Sequence, residues 1–380
     1  MINVGVIGIG FIGAVHIEAL RRIPGVFVKA VASSSLERAE KHAEELCIPE
    51  FYGDWKDLIN DSEIDVIHVA TPNFLHFEQV KAALHAGKHV MCEKPLTMTA
   101  KEAEELTALA AQKGVVNGVN FNIRFYPIMH HLKSMIASGE LGRVHTIKGS
   151  YQQDWLLHET DYNWRLESSQ SGVSRAVADI GSHWMDLAEF VSGTEISEVC
   201  ADFNTVHSIR KKPLKEVETY SGKMLSPEDY SDVEIDTEDY ASVLLHFANG
   251  AHGSFTVSQC VAGRKNRLYL EIHGTKKSFA WDSELCNQVW VGSRDQMNSV
   301  LLRDASLMSS DSHRYIDYPG GHNEGFPDTF KQLYKAFYTD VKAGEVSGNP
   351  DYATFSDGIR ELKLTERIVE SGKKRCWLEI

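Results

Sequence analysis

The sequence predicts an α/β chain, with a doubly wound parallel sheet at the amino terminus and an α+β part carrying an antiparallel sheet behind it. Three observations lead there. The first third alternates short apolar strands with amphipathic helices, the pattern of a parallel sheet with crossover helices. Its first strand runs straight into Gly8-Ile9-Gly10-Phe11-Ile12-Gly13, the spacing of a dinucleotide-binding turn. Beyond about residue 122 the segments lengthen and alternate polar with apolar residues, and the hairpin signals Asn249-Gly250 and His273-Gly274 sit between them.

Residues 2–7 form the apolar strand that ends at the glycines, and 14–22 carry helical spacing. A strand over 27–32 leads to a helix over 36–46. A buried strand over 66–70 leads to the breaker Pro72-Asn73 and a helix over 74–86. The strand 89–92, the amphipathic helix 99–112 and the short strand 115–119 complete five or six strands with short loops. The boundary falls near Phe121, dividing the chain into a dinucleotide-binding domain over 1–121 and a second domain over 122–380. Strands are expected there over 144–152, 240–247, 253–258 and 268–273. The polar stretch from Arg210 to Glu238 has little periodicity and reads as a long loop.

Bulk properties bound the function. A chain of 380 residues exceeds the size at which single cores stop growing, so two domains are expected. The formal net charge of -14, with no long Lys/Arg run, argues against a nucleic-acid surface. Six cysteines are scattered without a C-x-x-C pair, which fits free thiols in a reducing compartment. No stretch approaches the roughly 20 apolar residues of a membrane span, and the first residues are a strand rather than a signal peptide. A cytoplasmic location with no membrane partner is the expectation. No His/Cys cluster has ligand spacing, so no metal site is expected.

The glycine turn works through geometry. Gly8 permits the tight turn, Gly10 lets backbone approach a pyrophosphate, and Gly13 lets helix pack on strand, with Phe11 and Ile12 between them. Cofactor preference is left open as NAD(P). The second strand ends at Ser33-Ser34-Ser35, where a carboxylate would mark NAD and an arginine NADP; Arg38 lies one helical turn on, and the serines also suit a helix cap. Glu93-Lys94-Pro95 follows the strand 89–92 at the carboxyl edge of the sheet, where a lysine can stabilise a developing alkoxide. Asp179-Ile180-Gly181-Ser182-His183-Trp184-Met185-Asp186 sets a carboxylate and an imidazole four positions apart on one helix face. A carboxylate beside His183 holds its tautomer and raises its basicity, as removal of a hydroxyl proton near neutrality requires.

The order of these motifs, with Thr71-Pro72-Asn73 between the glycine turn and Glu93-Lys94-Pro95, resembles the Gfo/Idh/MocA family across the whole chain. That resemblance implies a Rossmann domain followed by an α+β domain on an open, mostly antiparallel sheet that buries itself in a homodimer or homotetramer. It implies that Lys94 touches substrate and nicotinamide, that Asp179 orients substrate and His183, and that His183 is the general base. Thr71, Asn73, His76, Glu93, Asn122 and the pair Trp164-Arg165 fall where the family touches its cofactor, with Ser33, Ser34 and Arg38 at the ribose end. Ser33-Ser34 depart from the acidic residue or arginine that many members carry. The segments from Gln153 to Leu156, from Thr160 to Arg165 and from Gly320 to Phe326 are similar to members acting on anhydrosugars such as levoglucosan and on ring hydroxyls of glycosides. Tyr126, Gln153, Trp155, Asp179, His183 and His322 are the substrate-facing set this suggests, since amides, carboxylates and an indole face suit a polyol.

The activity implied is NAD(P)-dependent oxidation of a secondary hydroxyl on a sugar, anhydrosugar or cyclitol ring. Two other classes share these motifs. A redox-neutral NAD-dependent glycosidase would retain its cofactor and release no NADH, and a nucleotide-sensing regulator tends to lose the lysine and histidine. Retention of Lys94, Asp179 and His183 favours catalysis.

Overall fold

Near-continuous apolar runs such as Val66-Ile67-His68-Val69 are what a parallel sheet covered on both faces demands. In the computed structural model, which describes residues 1–214 and 229–380, these runs alternate with helices. They are β1 (Ile2–Ile7), α1 (Phe11–Arg21), β2 (Val26–Ala32), α2 (Leu36–Glu45), β3 (Glu50–Tyr52), α3 (Trp55–Asn60), β4 (Val66–Val69), α4 (Asn73–His85), β5 (His89–Cys92), α5 (Ala100–Lys113) and β6 (Asn117–Val119). The sheet order is β3-β2-β1-β4-β5-β6 with every pairing parallel. Strand order reverses between β1 and β4, and the loops after those two strands open at the carboxyl edge, where such sheets take ligands. β3 and α3 lie in a stretch whose periodicity the sequence leaves unread. α5 is closed by a capping box between Thr99 and Glu102 and stopped by Gly114 in the left-handed region, φ 63°.

The second stretch contributes α6 (Pro127–Ala137), β7 (Val144–Gln152), α7 (Ser168–Ser171), α8 (Ser182–Ser192), β8 (Ile196–Asn204), β9 (Ile209–Pro213), β10 (Tyr230–Glu234), β11 (Tyr240–Phe247), β12 (His252–Ser258), β13 (Arg267–Gly274), β14 (Lys277–Asp282), β15 (Gln288–Ser293), β16 (Ser299–Leu302) and α9 (Ser310–His313). With β17 (Leu378–Glu379), the strands other than β9 and β10 make a nine-stranded sheet, β16-β15-β14-β13-β7-β12-β11-β8-β17. Only the β7–β12 pairing is parallel. Gly250, φ 81°, makes the β11–β12 turn. Trp184 of α8 donates from Nε1 to the Tyr269 carbonyl at 3.0 Å and stacks on Phe255. A β-carbon on Gly149 of β7 would overlap both that carbonyl and the indole nitrogen, so glycine is what lets α8 come down on the sheet.

One expectation is corrected. The stretch from Arg210 to Glu238 is not wholly loop: β9 and β10 pair antiparallel, and residues 215–228 lie outside the described residues. Charged side chains hide this ladder from any hydrophobic pattern, because it is held by backbone bonds and by Arg210. That guanidinium is fully buried against the carbonyls of Leu156, His158 and Asp161. The chain forms two compact units, Met1–Tyr126 with Glu324–Leu362, and Pro127–Asn323 with Lys363–Ile380, so a late segment joins the first unit. The reason is α10 (Phe326–Ala343), whose buried Phe330, Leu333, Tyr334, Phe337 and Tyr338 pack with the first unit. After it, α11 (Phe355–Lys374) begins in the first unit, and Ala353 bridges to Val119.

Candidate active site

In the first unit the glycine turn lies between β1 and α1, with Gly10 as the residue before the first helical turn. Gly8 has φ 90°, and a β-carbon there would stand 2.7 Å from the Ala70 carbonyl oxygen. A β-carbon on Gly13 would overlap the carbonyl oxygen of Gly8. At Gly10 a β-carbon would meet nothing within 4 Å. The fold itself therefore requires glycine at 8 and 13, while the open space at 10 fits a phosphate group brought from outside, as NAD would bring. Phe11 and Ile12 open α1, and Phe11 is exposed. Ser35 caps α2 by accepting from Arg38 N at 3.2 Å, and Arg38 Nη1 reaches Ser34 Oγ at 3.4 Å. Ser33 precedes them, half-buried.

The loops after β4 and β5 are tied together. His76 of α4 stands 2.8 Å from both the Thr71 and Pro95 carbonyls, and Thr71 Oγ1 donates to Gln79 at 2.6 Å. Burial pushes the His76 ring below the ordinary imidazole value against the pull of those two carbonyls. Asn73 is the first residue of α4. Glu93 is buried, and its Oε1 accepts from Asn120 and lies 2.9 Å from His16 Nε2. Burial raises this carboxyl, but the His16 hydrogen bond and the His16 and Lys94 charges outweigh it, so it titrates below its usual value. Lys94 thus follows a clamped residue, its own amide lying 3.2 Å from Glu93 Oε2. Asn122 donates to Thr329 Oγ1 of α10 at 2.7 Å, and Tyr126, buried, ends the first segment of the unit.

In the second unit Asp179 lies in a π turn, Val177–Gly181, that runs directly into α8, whose second residue is His183. His183 is 9% exposed, and its ring centroid is 6.3 Å from that of Tyr151 on β7. Asp179 Oδ2 accepts from Gln259 Nε2 at 2.8 Å, and Arg165 Nε lies 3.8 Å from Oδ1. Arg165 also stacks on Trp164, 4.6 Å from its ring centroid, so this pair stands beside Asp179 within the unit. Gln153 Oε1 accepts from Trp155 Nε1 at 2.7 Å, and Trp155 packs against a small core of Leu156, Tyr162, Leu166 and Ile235. The side chain of His322 is exposed; its carbonyl accepts from the buried Arg303. Among the described residues no cluster of three or more His, Cys, Asp or Glu could hold a metal ion, and no helix is long and apolar enough to cross a membrane.

Two family profiles match: "oxidoreductase family, NAD-binding Rossmann fold" over residues 2–121, and the "GFO/IDH/MocA C-terminal domain" over 129–280. Levoglucosan dehydrogenase of Pseudarthrobacter phenanthrenivorans is 31% identical over 100% of this chain and 98% of its own length. The chain belongs to the Gfo/Idh/MocA oxidoreductase family. Myo-inositol 2-dehydrogenase of Thermotoga maritima is 27% identical over 95% of this chain and 93% of the relative. A solved levoglucosan dehydrogenase in complex with NADH and L-sorbose superposes with a TM-score of 0.89, at 29% identity, covering 100% of this chain and 98% of that one. As in the family description, the first domain is an NAD-binding Rossmann fold. For this Gfo/Idh/MocA chain the sequence missed the supports: His16, Asn120, Gln259 and Arg175. His16 lies three residues beyond Gly13 on α1, but nothing in its spacing announced a bond to Glu93, 77 residues away.

Proposed function

We propose that the protein oxidises a secondary hydroxyl on the ring of a sugar, anhydrosugar or cyclitol, with NAD as the acceptor. The observation that carries the reading is a nearly buried histidine, His183, one helical turn beyond a carboxylate fixed by Gln259, in a chain whose first domain belongs to an NAD-binding family. Relatives named for levoglucosan, myo-inositol and glucose 6-phosphate support the substrate class. When bound, NAD supplies the acceptor for the hydride from the carbinol carbon. His183 takes the hydroxyl proton on a ring nitrogen. Asp179 orients the substrate and the histidine, as a carboxylate held in one geometry can. Lys94 donates to the hydroxyl oxygen as it gains negative charge, its backbone anchored through Glu93. Gln153, Trp155, Tyr126 and His322 are the proposed sugar contacts, and Thr71, Asn73, His76, Glu93, Asn122, Trp164 and Arg165 the cofactor side. Self-association into a dimer or tetramer is part of the same proposal; Leu244, between buried Val243 and Leu245, and Trp290, beside buried Val289, are apolar side chains exposed on this sheet.

The test is His183→Ala. It is expected to lower turnover of levoglucosan with NAD about a hundredfold or more at neutral pH, with NADH affinity unchanged. Parental turnover in that variant would remove His183 from the mechanism.

A further inference from the structure

Gln259, immediately after β12, is fully buried and touches three polar groups. Its Oε1 accepts from Arg175 Nη1 at 3.0 Å, and its Nε2 stands 2.8 Å from Asp179 Oδ2 and 3.3 Å from Gln153 Oε1. The way this amide points is decided by chemistry. A guanidinium only donates, so the oxygen must face Arg175 and the nitrogen must face the carboxylate. Arg175 cannot turn away, because it and Asp239 are both fully buried and ion-paired, and Arg210 Nη2 holds the same carboxylate at 2.8 Å. Both arginines outweigh the burial that would raise Asp239, which stays ionised below the usual carboxylate value.

The same direction continues outward. Gln153 Oε1 is occupied by Gln259 and by Trp155 Nε1, so Gln153 Nε2 faces Asn266 Oδ1 at 2.8 Å, and that oxygen also accepts from Tyr151 OH at 2.8 Å. We propose that Gln259 is a positioning residue: it carries a fixed donor–acceptor direction from the buried Arg175–Asp239 pair to Asp179 and Gln153, holding both as acceptors on the side facing it. This rests on the reading of Asp179 and His183 as the reaction machinery. Gln259 itself lies behind Asp179 and Gln153 and acts through them.

The test is Gln259→Glu, which keeps an acceptor for Arg175 and removes the donors, with Gln259→Met as a neutral counterpart. In Gln259→Glu two carboxylates meet beside Arg165, Arg175, Glu238, Asp239 and His183. That pair must share a proton, and it gives the proton up as pH rises. With NAD and levoglucosan, kcat/KM relative to the parent is expected to fall about tenfold or more near pH 9 and to recover toward about pH 6. Gln259→Met is expected to lose a similar factor with no pH dependence, and both variants should bind NADH as the parent does. A merely structural role would move the ratio equally at every pH. A second readout needs no substrate. Gln153 must turn its nitrogen toward the new carboxylate, so the Trp155 indole N–H resonance, assigned through Trp155→Phe, shifts upfield on losing its acceptor.

A flat ratio near one together with an unmoved indole resonance overturns the proposal. If Gln259→Glu does not fold, Gln259→Met decides through kcat and KM measured separately: parental kcat, or a loss accompanied by weakened NADH binding, overturns the proposal, and a loss confined to kcat with KM and NADH binding at parental values supports it. Asp179→Asn separates the two layers. Parental turnover in that variant defeats the site reading and the catalytic part of the proposal, whereas the indole shift decides the direction of the relay by itself.

Discussion

At Gly10 the first unit leaves open space where a β-carbon would stand, while at Gly13 the same atom would overlap the Gly8 carbonyl. This contrast separates what the fold needs from what a ligand needs. Gly10→Ala is expected to change stability by no more than about 0.5 kcal/mol, as for an uncrowded position, and to weaken NADH binding about tenfold or more. Gly13→Ala is expected to cost about 3 kcal/mol or more, because backbone rather than a side-chain end must give way. Thermal melts and NADH fluorescence titrations of the two variants check this, and unchanged NADH affinity in Gly10→Ala contradicts a pyrophosphate seated there. At this scale the candidate groups, the glycine turn, Lys94, Asp179 and His183, were legible as candidates because such chemistry demands a residue type at a spacing. Their supports were not. Gln259 meets Asp179 across 80 residues of chain, and an amide after a strand carries no pattern. Arg175 looks like any charged residue until its burial is seen.

α10 shows why elements are harder to read than residues. Its helical spacing was left unread in the sequence, and nothing in its apolar face names the layer it covers. In the structure it closes over polar groups: His16 Nδ1 lies 3.0 Å from His68 Nδ1, and His68 Nε2 lies 3.0 Å from Tyr338 OH on α10. His16 Nε2 also lies 2.9 Å from the Glu93 carboxylate, so the chain of contacts runs from Glu93 through His16 and His68 to Tyr338. Burial, and then the neighbouring His16, hold His68 well below the ordinary imidazole value. The unfolded chain takes up this proton near pH 6.5, whereas the folded chain does not. Its stabilising contribution is therefore whole above about pH 6.5 and is lost as pH falls toward the depressed folded value, by about 1.4 kcal/mol per pH unit. His68→Gln is expected to flatten the fall in Tm between about pH 7.5 and 5.5. An unchanged slope would mean that His68 is protonated in the folded state. The strand runs of the parallel sheet were readable because burial on both faces leaves them uniformly apolar. β9 and β10 were not, since their ladder rests on backbone bonds and a buried arginine.

At the scale of the whole chain, the glycine turn and the α8 pair lie in different compact units, 1–126 with 324–362 and 127–323 with 363–380. The order of motifs along the sequence was enough to indicate the family, and the two profile matches and full-length relatives establish it. Substrate identity was less legible, because under the proposal it depends on which way Gln153 and Trp155 point, a direction that the proposed relay through Gln259 ties to the buried Arg175–Asp239 pair. The most direct measurement is absorbance at the reduced-nicotinamide band, with purified protein, NAD or NADP, and levoglucosan, inositols, hexoses and glycosides in turn. The account predicts a sustained rise with NAD and at least one ring polyol. No rise with any of them, while NADH still binds, would contradict a dehydrogenase and favour redox-neutral glycoside cleavage or nucleotide sensing.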